Sequence, residues 1–286
     1  MQQRRIGTVT VGAIGLGAMP LSTKDSRPPA EDAVAVVHAA LDAGVTLIDT
    51  ADAYARDEAE FGHNETLVAD AVRSYGSGAS DVLVATKGGH TRRGTDWELD
   101  GSPAYLRRAC ESSLRRLGVE TIGLYQFHRP DPATPWEESM GALRQLADDG
   151  LVRMVGISNA DIAQIDVARS IVGDALVSVQ NQFSPGWRHS ADELAHCAGH
   201  GLAFLPWSPF GGVTAAGSLG STAPAFAEVA DELGVSVYRV TLAWHLAQSD
   251  TVVPIPGASR ITSVKDSVAA AELTLSPDHL ARLNGS

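Results

Sequence analysis

The sequence is poor in cysteine and in long apolar runs. Its 286 residues include only Cys110 and Cys197, and Cys110 occupies an apolar helix position, so reduced thiols are expected in place of a disulfide. No stretch reaches the roughly 18 consecutive apolar residues of a membrane span. Nor does a long apolar run follow residues 1–5, as it would in a secretory signal. These absences indicate a cytoplasmic protein that does not enter a membrane.

Positive charge is also scarce, because 22 Lys and Arg residues stand against 34 Asp and Glu residues, giving a formal net charge of −12. This balance argues against nucleic acid or anionic membrane as a partner. An anionic ligand would need a local basic patch. The short basic pairs Arg92-Arg93 and Arg107-Arg108 are more typical of solvated faces than of phosphate sites.

Strand patterns and helical patterns alternate along the whole chain. Two short strands around a tight turn are predicted within residues 6–17, where Gly15-Leu-Gly17 lacks the third glycine and the immediate helix of a dinucleotide-binding fingerprint. Seven further strands, each followed by a helix, are predicted over 45–48, 81–87, 122–128, 151–157, 175–179, 202–206 and 252–255. Eight such units favour the α/β class and a closed (β/α)8 TIM barrel with an N-terminal β-hairpin, formed by residues 1–286 as one domain.

Capping residues mark several helix boundaries. Ser102-Pro103 is a cap followed by a first-turn proline, and Thr134-Pro-Trp-Glu137 has the form of a capping box. The last long helical pattern breaks near Gly234. The longest irregular stretches, 88–101 and 209–223, follow predicted strands, so in a barrel they lie over the active face.

A carboxylate and a phenol follow the second predicted strand. The stretch Thr46-Leu-Ile-Asp-Thr-Ala-Asp-Ala-Tyr54 places Asp49 at the strand end and Tyr54 in the loop beyond it. A phenol, with a usual pKa of about 10, is a poor proton donor near neutral pH unless a nearby cation lowers that pKa. Lys87, at the end of the next predicted strand, is the candidate cation, and His128 ends the strand after that.

These four residues resemble the catalytic tetrad of the aldo-keto reductase superfamily. The matching motifs are Asp49 with Tyr54 five residues on, Ala-Thr-Lys-Gly at 85–88 and Gln-Phe-His at 126–128, in order and each at a strand end. The resemblance covers nearly the whole chain. It implies reduction of an aldehyde or a ketone to the alcohol.

The resemblance also assigns roles to the four side chains. Tyr54 would donate the proton, Lys87 would lower the pKa of Tyr54, and Asp49 would keep Lys87 protonated. His128 would hydrogen-bond and orient the substrate oxygen. The residues alone leave an alternative open, in which Asp49 and Lys87 form a structural ion pair, Tyr54 is a surface ring and His128 is a satisfied interior side chain.

The cofactor implied by the resemblance is NADPH, with hydride passing from C4 of its nicotinamide. Ser158 and Asn159 after the fifth strand, and Gln180 at the end of the sixth, would bind the nicotinamide carboxamide. Trp207 would stack on the ring. Backbone donors to the pyrophosphate would come from Ser208, Pro209, Phe210, Gly211 and Gly212.

The loop after the eighth strand matches the family's site for the ribose 2′-phosphate and the adenine. A helix N-terminus favours anions, and Arg260 can add a bidentate contact, which favours NADPH over NADH. The commonest family pattern has Lys before a Ser and an Arg a turn further on, where this chain has Gly257, Ala258 and Ser263. The remaining candidates for phosphate and adenine contacts are Ser259, Arg260 and Asp266.

A small carbonyl compound is the expected partner, in an open pocket with Met19, Trp97 and Trp187 as walls, because the sequence ends soon after the eighth strand. His196 and His200 have helical spacing that could suit a metal, but no third ligand is evident nearby, so no metal is expected.

A specialised pyridoxal or sugar-ketone reductase is an alternative function. A cofactor-sensing subunit of an ion channel is another, but no interaction segment is visible and no obligate protein partner is expected.

Overall fold

The computed structural model describes residues 1–212 and 215–285. The predicted irregular loop over 209–223 is therefore described only in part, and the predicted domain boundary at residue 286 lies outside the described residues. The chain begins with an antiparallel hairpin of β1 (Gln3–Ile6) and β2 (Val9–Gly12). This hairpin starts earlier than predicted, and the short strand β3 (Leu16–Gly17) follows it.

A seven-stranded parallel sheet forms the centre of the molecule. After β3 its strands are β4 (Leu47–Asp49), β5 (Leu83–Gly88), β8 (Leu124–Phe127), β9 (Val155–Ser158), β10 (Leu176–Gln180) and β11 (Ala203–Phe204). Their order across the sheet is β3, β4, β5, β8, β9, β10, β11. Every neighbouring pair is parallel. These strands match seven of the eight predicted ones.

The predicted eighth strand is not a regular strand, but it closes the sheet into a barrel. Val253 N donates to Phe204 O at 2.9 Å on one side, and Gly17 N donates to Pro256 O at 3.0 Å on the other. Pro254 and Pro256 have no N–H, so a continuous ladder cannot form here. Gly17 is needed at this seam, because a Cβ there would lie 2.8 Å from the Ile255 carbonyl oxygen. The fold is therefore a (β/α)8 barrel.

Helices pack around the outside of the barrel. They are α1 (Ala30–Asp42), α2 (His63–Tyr75), α3 (Pro103–Leu117), α4 (Trp136–Asp148), α5 (Ile162–Val172), α6 (Ala191–Gly199), α7 (Leu219–Thr222), α8 (Pro224–Leu233), α9 (Val237–Gln248), α10 (Ile261–Ala269) and α11 (Pro277–Asn284). The cap at Ser102 is confirmed, since its hydroxyl accepts from Tyr105 N. The predicted capping box at Thr134 is wrong, because Thr134 Oγ1 donates to Asp131 instead and α4 begins after Pro135 without a side-chain cap.

The predicted irregular stretch 88–101 contains a second hairpin, β6 (His90–Arg93) with β7 (Asp96–Leu99). Its residues are polar, so the apolar alternation that reveals a half-buried strand is missing. Arg92 also corrects the expectation of a solvated face: it is buried, donates to the carbonyl oxygens of Ala55 and Arg56, and lies over the Trp97 ring at 4.2 Å. The hairpin is thereby tied to the loop that follows β4.

Apolar side chains fill the lower part of the barrel. Residues of the N-terminal hairpin, Ile6 and Val11, are buried in one cluster with Leu47, Leu83 and Leu124 from the barrel strands. The hairpin therefore covers the floor of the barrel. A lumen packed in this way leaves the carboxyl ends of the strands as the place for a ligand.

Candidate active site

The four predicted catalytic side chains meet at the carboxyl ends of three neighbouring strands. Asp49 ends β4, Lys87 lies in β5, and His128 follows β8, while Tyr54 lies in the loop after β4. Their exposed fractions are 2% for Asp49, 0% for Lys87, 7% for Tyr54 and 9% for His128. Tyr54 is thus not the surface ring of the alternative interpretation.

Lys87 connects the carboxylate to the phenol. Its ammonium donates to Asp49 Oδ2 at 2.5 Å, to Tyr54 Oη at 3.0 Å and to Thr50 O at 3.0 Å. An ammonium has three donors, so all three are used. Since the Tyr54 oxygen accepts from Lys87, the phenol keeps its own proton for another acceptor.

Two amides fix the other oxygen of Asp49. Oδ1 accepts from Gln126 Nε2 at 3.1 Å and from Gln180 Nε2 at 2.8 Å. Gln126 was not predicted as a site residue, although it lies two positions before His128, and side chains at i and i+2 share one face of a strand. Gln180, predicted as a carboxamide contact, has its amide nitrogen engaged with Asp49, which leaves its oxygen for a ligand.

Lys87 lowers the pKa of Tyr54 as predicted, but the net shift is upward. Burial raises it, the charge and hydrogen bond of Lys87 lower it, and Asp49 raises it, with a net rise. Burial lowers the pKa of Lys87, but Asp49 and Tyr54 outweigh this and the net shift is upward. At neutral pH the pair is therefore an ammonium and a protonated phenol.

His128 is a neutral imidazole against the Tyr54 ring. Burial, and after it the charges of Lys87, His90 and Arg129, hold its pKa well below the usual value. Its Nδ1 is buried and has no hydrogen-bond partner among the described residues. The ring centroid lies 5.5 Å from that of Tyr54 and 4.3 Å from that of His90. His90 was not predicted, because the hairpin that carries it was not.

A cavity of about 880 Å³ opens above these residues. Asp49, Tyr54 and His128 form part of its wall. The predicted ligand-binding residues that line it are Met19, Trp97, Ser158, Asn159, Gln180, Trp207, Ser208, Pro209, Phe210, Gly212, Ser259, Arg260 and Asp266. Gly211 and Trp187 do not line it.

Trp187 lies in a tight turn away from the cavity. Ser184 and Trp187 exchange two backbone hydrogen bonds of 3.0 Å, the indole is 45% exposed, and its ring packs on His189 with centroids 4.6 Å apart. The prediction that Trp187 forms a pocket wall is therefore wrong. Trp97 does line the cavity, with its ring centroid 6.5 Å from that of Tyr54.

The wall beyond the predicted catalytic residues includes two residues in unusual backbone conformations. Asn159 and Ser208 have φ angles of 60° and 50°, a region that non-glycine residues rarely adopt and that concentrates at ligand sites. The Asn159 side-chain amide donates to His128 O at 3.0 Å, and Ser158 Oγ donates to Gln180 O at 2.6 Å. The buried Nε1 of Trp207 has no partner within the described part of the chain.

The far end of the cavity lies at the start of α10. Arg260 is the exposed residue preceding the helix. Asp266, predicted as a phosphate or adenine contact, is already engaged: it pairs with Arg239 at 2.8 Å and accepts a hydrogen bond from Ser236. Arg239, which sequence analysis did not single out, belongs to α9, and no motif marks it.

The comparisons with known proteins agree on one family. The model of the Aldo/keto reductase family matches residues 13–286. The chain belongs to the aldo/keto reductase family. An uncharacterized oxidoreductase of Schizosaccharomyces pombe is 32% identical over 98% of this chain and 88% of its own length. A probable aldo-keto reductase of Glycine max is 31% identical over 99% of this chain and 88% of its own.

Solved aldo/keto reductases share the fold. One from Klebsiella pneumoniae, in complex with NADP and acetate, superposes with a TM-score of 0.81 at 28% identity, covering 99% of this chain and 94% of its own. Family membership makes this chain an oxidoreductase, and carbonyl reduction is the activity that the family supports.

Two further observations concern metal sites and membrane spans in this aldo/keto reductase. Within residues 1–212 and 215–285, no group of three or more His, Cys, Asp and Glu side chains is placed to hold a metal ion. His196 instead contacts Asp166 at 2.9 Å, and His200 contacts the carbonyl oxygen of His196. None of the described helices has the length and apolar content needed to cross a bilayer.

Proposed function

We propose that this chain reduces aldehydes or ketones to alcohols with NADPH, as one barrel domain, with Tyr54 as the proton donor. The observation that carries the proposal is the hydrogen bond from Lys87 Nζ to Tyr54 Oη, inside a cavity wall and away from bulk water. Because Lys87 fills an acceptor position on the phenol oxygen, the O–H is free to point to a carbonyl oxygen. A positioned general acid of this kind contributes about 10² to 10⁴ in rate.

The raised pKa of Tyr54 suits a donor that must stay protonated before the reaction. As negative charge develops on the carbonyl oxygen, the phenol gives up its proton, and the Lys87 ammonium at 3.0 Å stabilises the phenolate that results. Asp49 keeps the ammonium in place, and its own charge is balanced by Lys87 and by two glutamine amides. Removing any side chain from this series of hydrogen bonds therefore changes how readily Tyr54 gives up its proton.

His128 acts as a neutral hydrogen-bond donor to the same oxygen. Its depressed pKa excludes the imidazolium near neutral pH, so it does not compete with Tyr54 for the role of acid. The edge-to-face contacts with Tyr54 and His90 hold the ring plane fixed. The carbonyl oxygen would thus meet two preorganised donors.

The rest of the cavity suits a dinucleotide. Ser158, Asn159 and the oxygen of Gln180 would bind the nicotinamide amide, and the half-buried Trp207 would stack on the ring. When bound, NADPH supplies the hydride for the carbonyl carbon. The strained residue Ser208 and the unpartnered Trp207 Nε1 are features that a bound ligand would explain.

Arg260 supports a preference for NADPH over NADH. It has no ion-pair partner among the described residues, and it lies at the N-terminal end of α10, where helical N–H groups favour an anion. The ribose 2′-phosphate distinguishes NADPH from NADH. The NADP-bound Klebsiella relative supports the same choice.

A cytoplasmic location is proposed from the thiols. Cys110 and Cys197 are both free and buried, and burial raises the pKa of each to about 12. Such thiols stay protonated and unreactive. A reducing compartment is compatible with this state.

The test follows the loss of NADPH absorbance with a panel of aldehydes and ketones, for wild type, Tyr54→Phe and Tyr75→Phe. Tyr75 is a control, because its hydroxyl is exposed and bonds Asp42 at 2.8 Å. Turnover should fall by at least about 10² in Tyr54→Phe and be unchanged in Tyr75→Phe. Equal turnover in wild type and Tyr54→Phe rules out the assigned proton donor. NADPH binding without reduction of any compound favours a specialised reductase or a sensing role.

A further inference from the structure

The charges on the cavity wall are unequally satisfied. Its two carboxylates are already paired, Asp49 with Lys87 and Asp266 with Arg239. Its two arginines, Arg129 and Arg260, have no hydrogen-bond or ion-pair partner among the described residues. The wall therefore presents unbalanced positive charge in a chain whose net charge is −12.

The two arginines serve different ends of the cavity. Arg260 precedes α10 and is accounted for by the proposed 2′-phosphate contact. Arg129 directly follows His128, and its charge is close enough to lower the pKa of both His128 and His90. It therefore belongs to the end where the carbonyl reacts, and no part of the proposed cofactor site uses it.

Arg129 is an exposed residue of the cavity wall, and no neighbouring carboxylate balances its charge. Burial lowers its pKa, and no carboxylate acts in the opposite direction. Two arginines elsewhere in the chain differ in this respect: Arg56 pairs with Glu60 at 3.1 Å, and Arg92 donates to two backbone carbonyl oxygens. An exposed guanidinium on the cavity wall, with no carboxylate of its own among the described residues, is available to an anion that enters the cavity.

We infer that Arg129 is an anion subsite, and that the carbonyl compound reduced by this enzyme carries a carboxylate or a similar anionic group. This rests on the proposed function. The planar fork of a guanidinium binds a carboxylate through two parallel hydrogen bonds. Trp97 and His90, with ring centroids 5.1 Å apart, provide flat walls beside it for the body of the substrate.

The first test uses a matched pair of substrates, 4-carboxybenzaldehyde and its methyl ester, with NADPH. Wild type should prefer the acid by about tenfold in kcat/KM, and Arg129→Gln should remove this preference through a higher KM for the acid. Turnover of the ester should stay within about threefold of wild type, and Arg129→Lys should retain part of the preference. Arg115→Gln, a change of the same charge on the exposed face of α3, is the control and should behave as wild type.

The second test does not depend on turnover. Binding of 4-(hydroxymethyl)benzoate is measured by calorimetry for wild type, Arg129→Gln and Arg260→Gln. The inference expects about a tenfold weaker Kd only in Arg129→Gln. Equal Kd values for wild type and Arg129→Gln, or a loss confined to Arg260→Gln, overturn it.

The outcomes distinguish a failure of the anion subsite from a failure of the proposed reductase activity. NADPH-dependent reduction of the ester with no preference for the acid overturns the anion subsite and leaves the reductase activity standing. Failure to reduce either aldehyde counts against the activity, and the calorimetric comparison then decides whether Arg129 binds the anion.

Discussion

Asp49 and Lys87 form a buried ion pair, with 2.5 Å between Oδ2 and Nζ and with almost no exposure of either side chain. Each charge is fully hydrogen-bonded: Lys87 by three oxygens, and Asp49 by Lys87 and two amides. Taking two charges out of water costs free energy, which only such complete pairing offsets. Losing one partner therefore costs more than losing both.

A double-mutant cycle tests this relationship. Lys87→Met leaves a buried carboxylate and should lower the free energy of unfolding by about 3 to 5 kcal/mol. The double variant Asp49→Asn/Lys87→Met removes both charges and should recover about half of that loss while staying inactive. Chemical denaturation of wild type, Lys87→Met, Asp49→Asn and the double variant measures the coupling, with Lys24→Met on the exposed surface as the control. A double variant less stable than Lys87→Met would contradict the prediction.

Cofactor preference should depend on Arg260. Arg260→Gln removes the charge placed before α10, so the KM for NADPH should rise by about tenfold while the KM for NADH stays within about twofold. Lys265→Gln, an exposed change of equal charge within α10, provides the comparison. If both cofactors weaken equally in Arg260→Gln, the 2′-phosphate does not lie at this residue.

Stability should fall in mild acid, and His90 should account for part of the fall. Burial lowers the pKa of His90 to about 4, below the usual 6.5. Between these values the unfolded chain binds more protons than the folded one, so the stabilisation is present above about pH 6.5 and is lost as the pH falls toward 4. The contribution is on the order of 2 kcal/mol, since one pKa unit corresponds to ~1.4 kcal/mol and the ring is partly exposed.

His90→Phe isolates that contribution. The pKa values of His63, His128 and His245 are also lowered, so wild type should still lose stability in acid for several reasons. Tm measured from pH 7 to 4.5 should fall less steeply in His90→Phe than in wild type. Identical slopes would show that His90 is not held neutral by the fold.

The two exposed tryptophans should behave differently. Trp97→Ala removes a wall of the cavity and the ring under Arg92, so it should raise KM for aromatic aldehydes severalfold. Trp187→Ala should leave kinetics unchanged, because the indole lies outside the cavity. Steady-state kinetics of the two variants side by side test this. A similar loss in both would place Trp187 in the site after all.

The sequence predicted the barrel, and it also predicted which side chains would meet at its carboxyl end, because both depend on local patterns. Asp49, Lys87 and His128 each follow a buried apolar run, and the carboxyl ends of neighbouring parallel strands must meet. The shift of the Tyr54 pKa could not be obtained this way, because its sign depends on how far burial exceeds the effect of one ammonium. Spacing indicates which groups are neighbours but not how much water they lose.

Other residues were missed for related reasons. His90 lies on a polar hairpin with no apolar alternation, so its contact with His128 arises only in three dimensions. Gln180 was predicted to face a ligand, but its amide nitrogen donates a hydrogen bond to Asp49, a residue 131 positions away in the chain. Trp187 was wrongly predicted to line the pocket, because the backbone between Ser184 and Trp187 forms a tight turn that the sequence does not reveal. Long-range pairing and turn geometry decide these cases.

The proline-interrupted seam that closes the barrel also has a consequence for biosynthesis. Residues 252–257 are the last part of the wall to leave the ribosome, and until they arrive β3 and β11 are the open edges of a curled sheet. Unpaired strand edges are templates for association with other chains. The growing polypeptide therefore stays vulnerable to aggregation until residue 257 has been made, and a product truncated before this point cannot form a closed barrel.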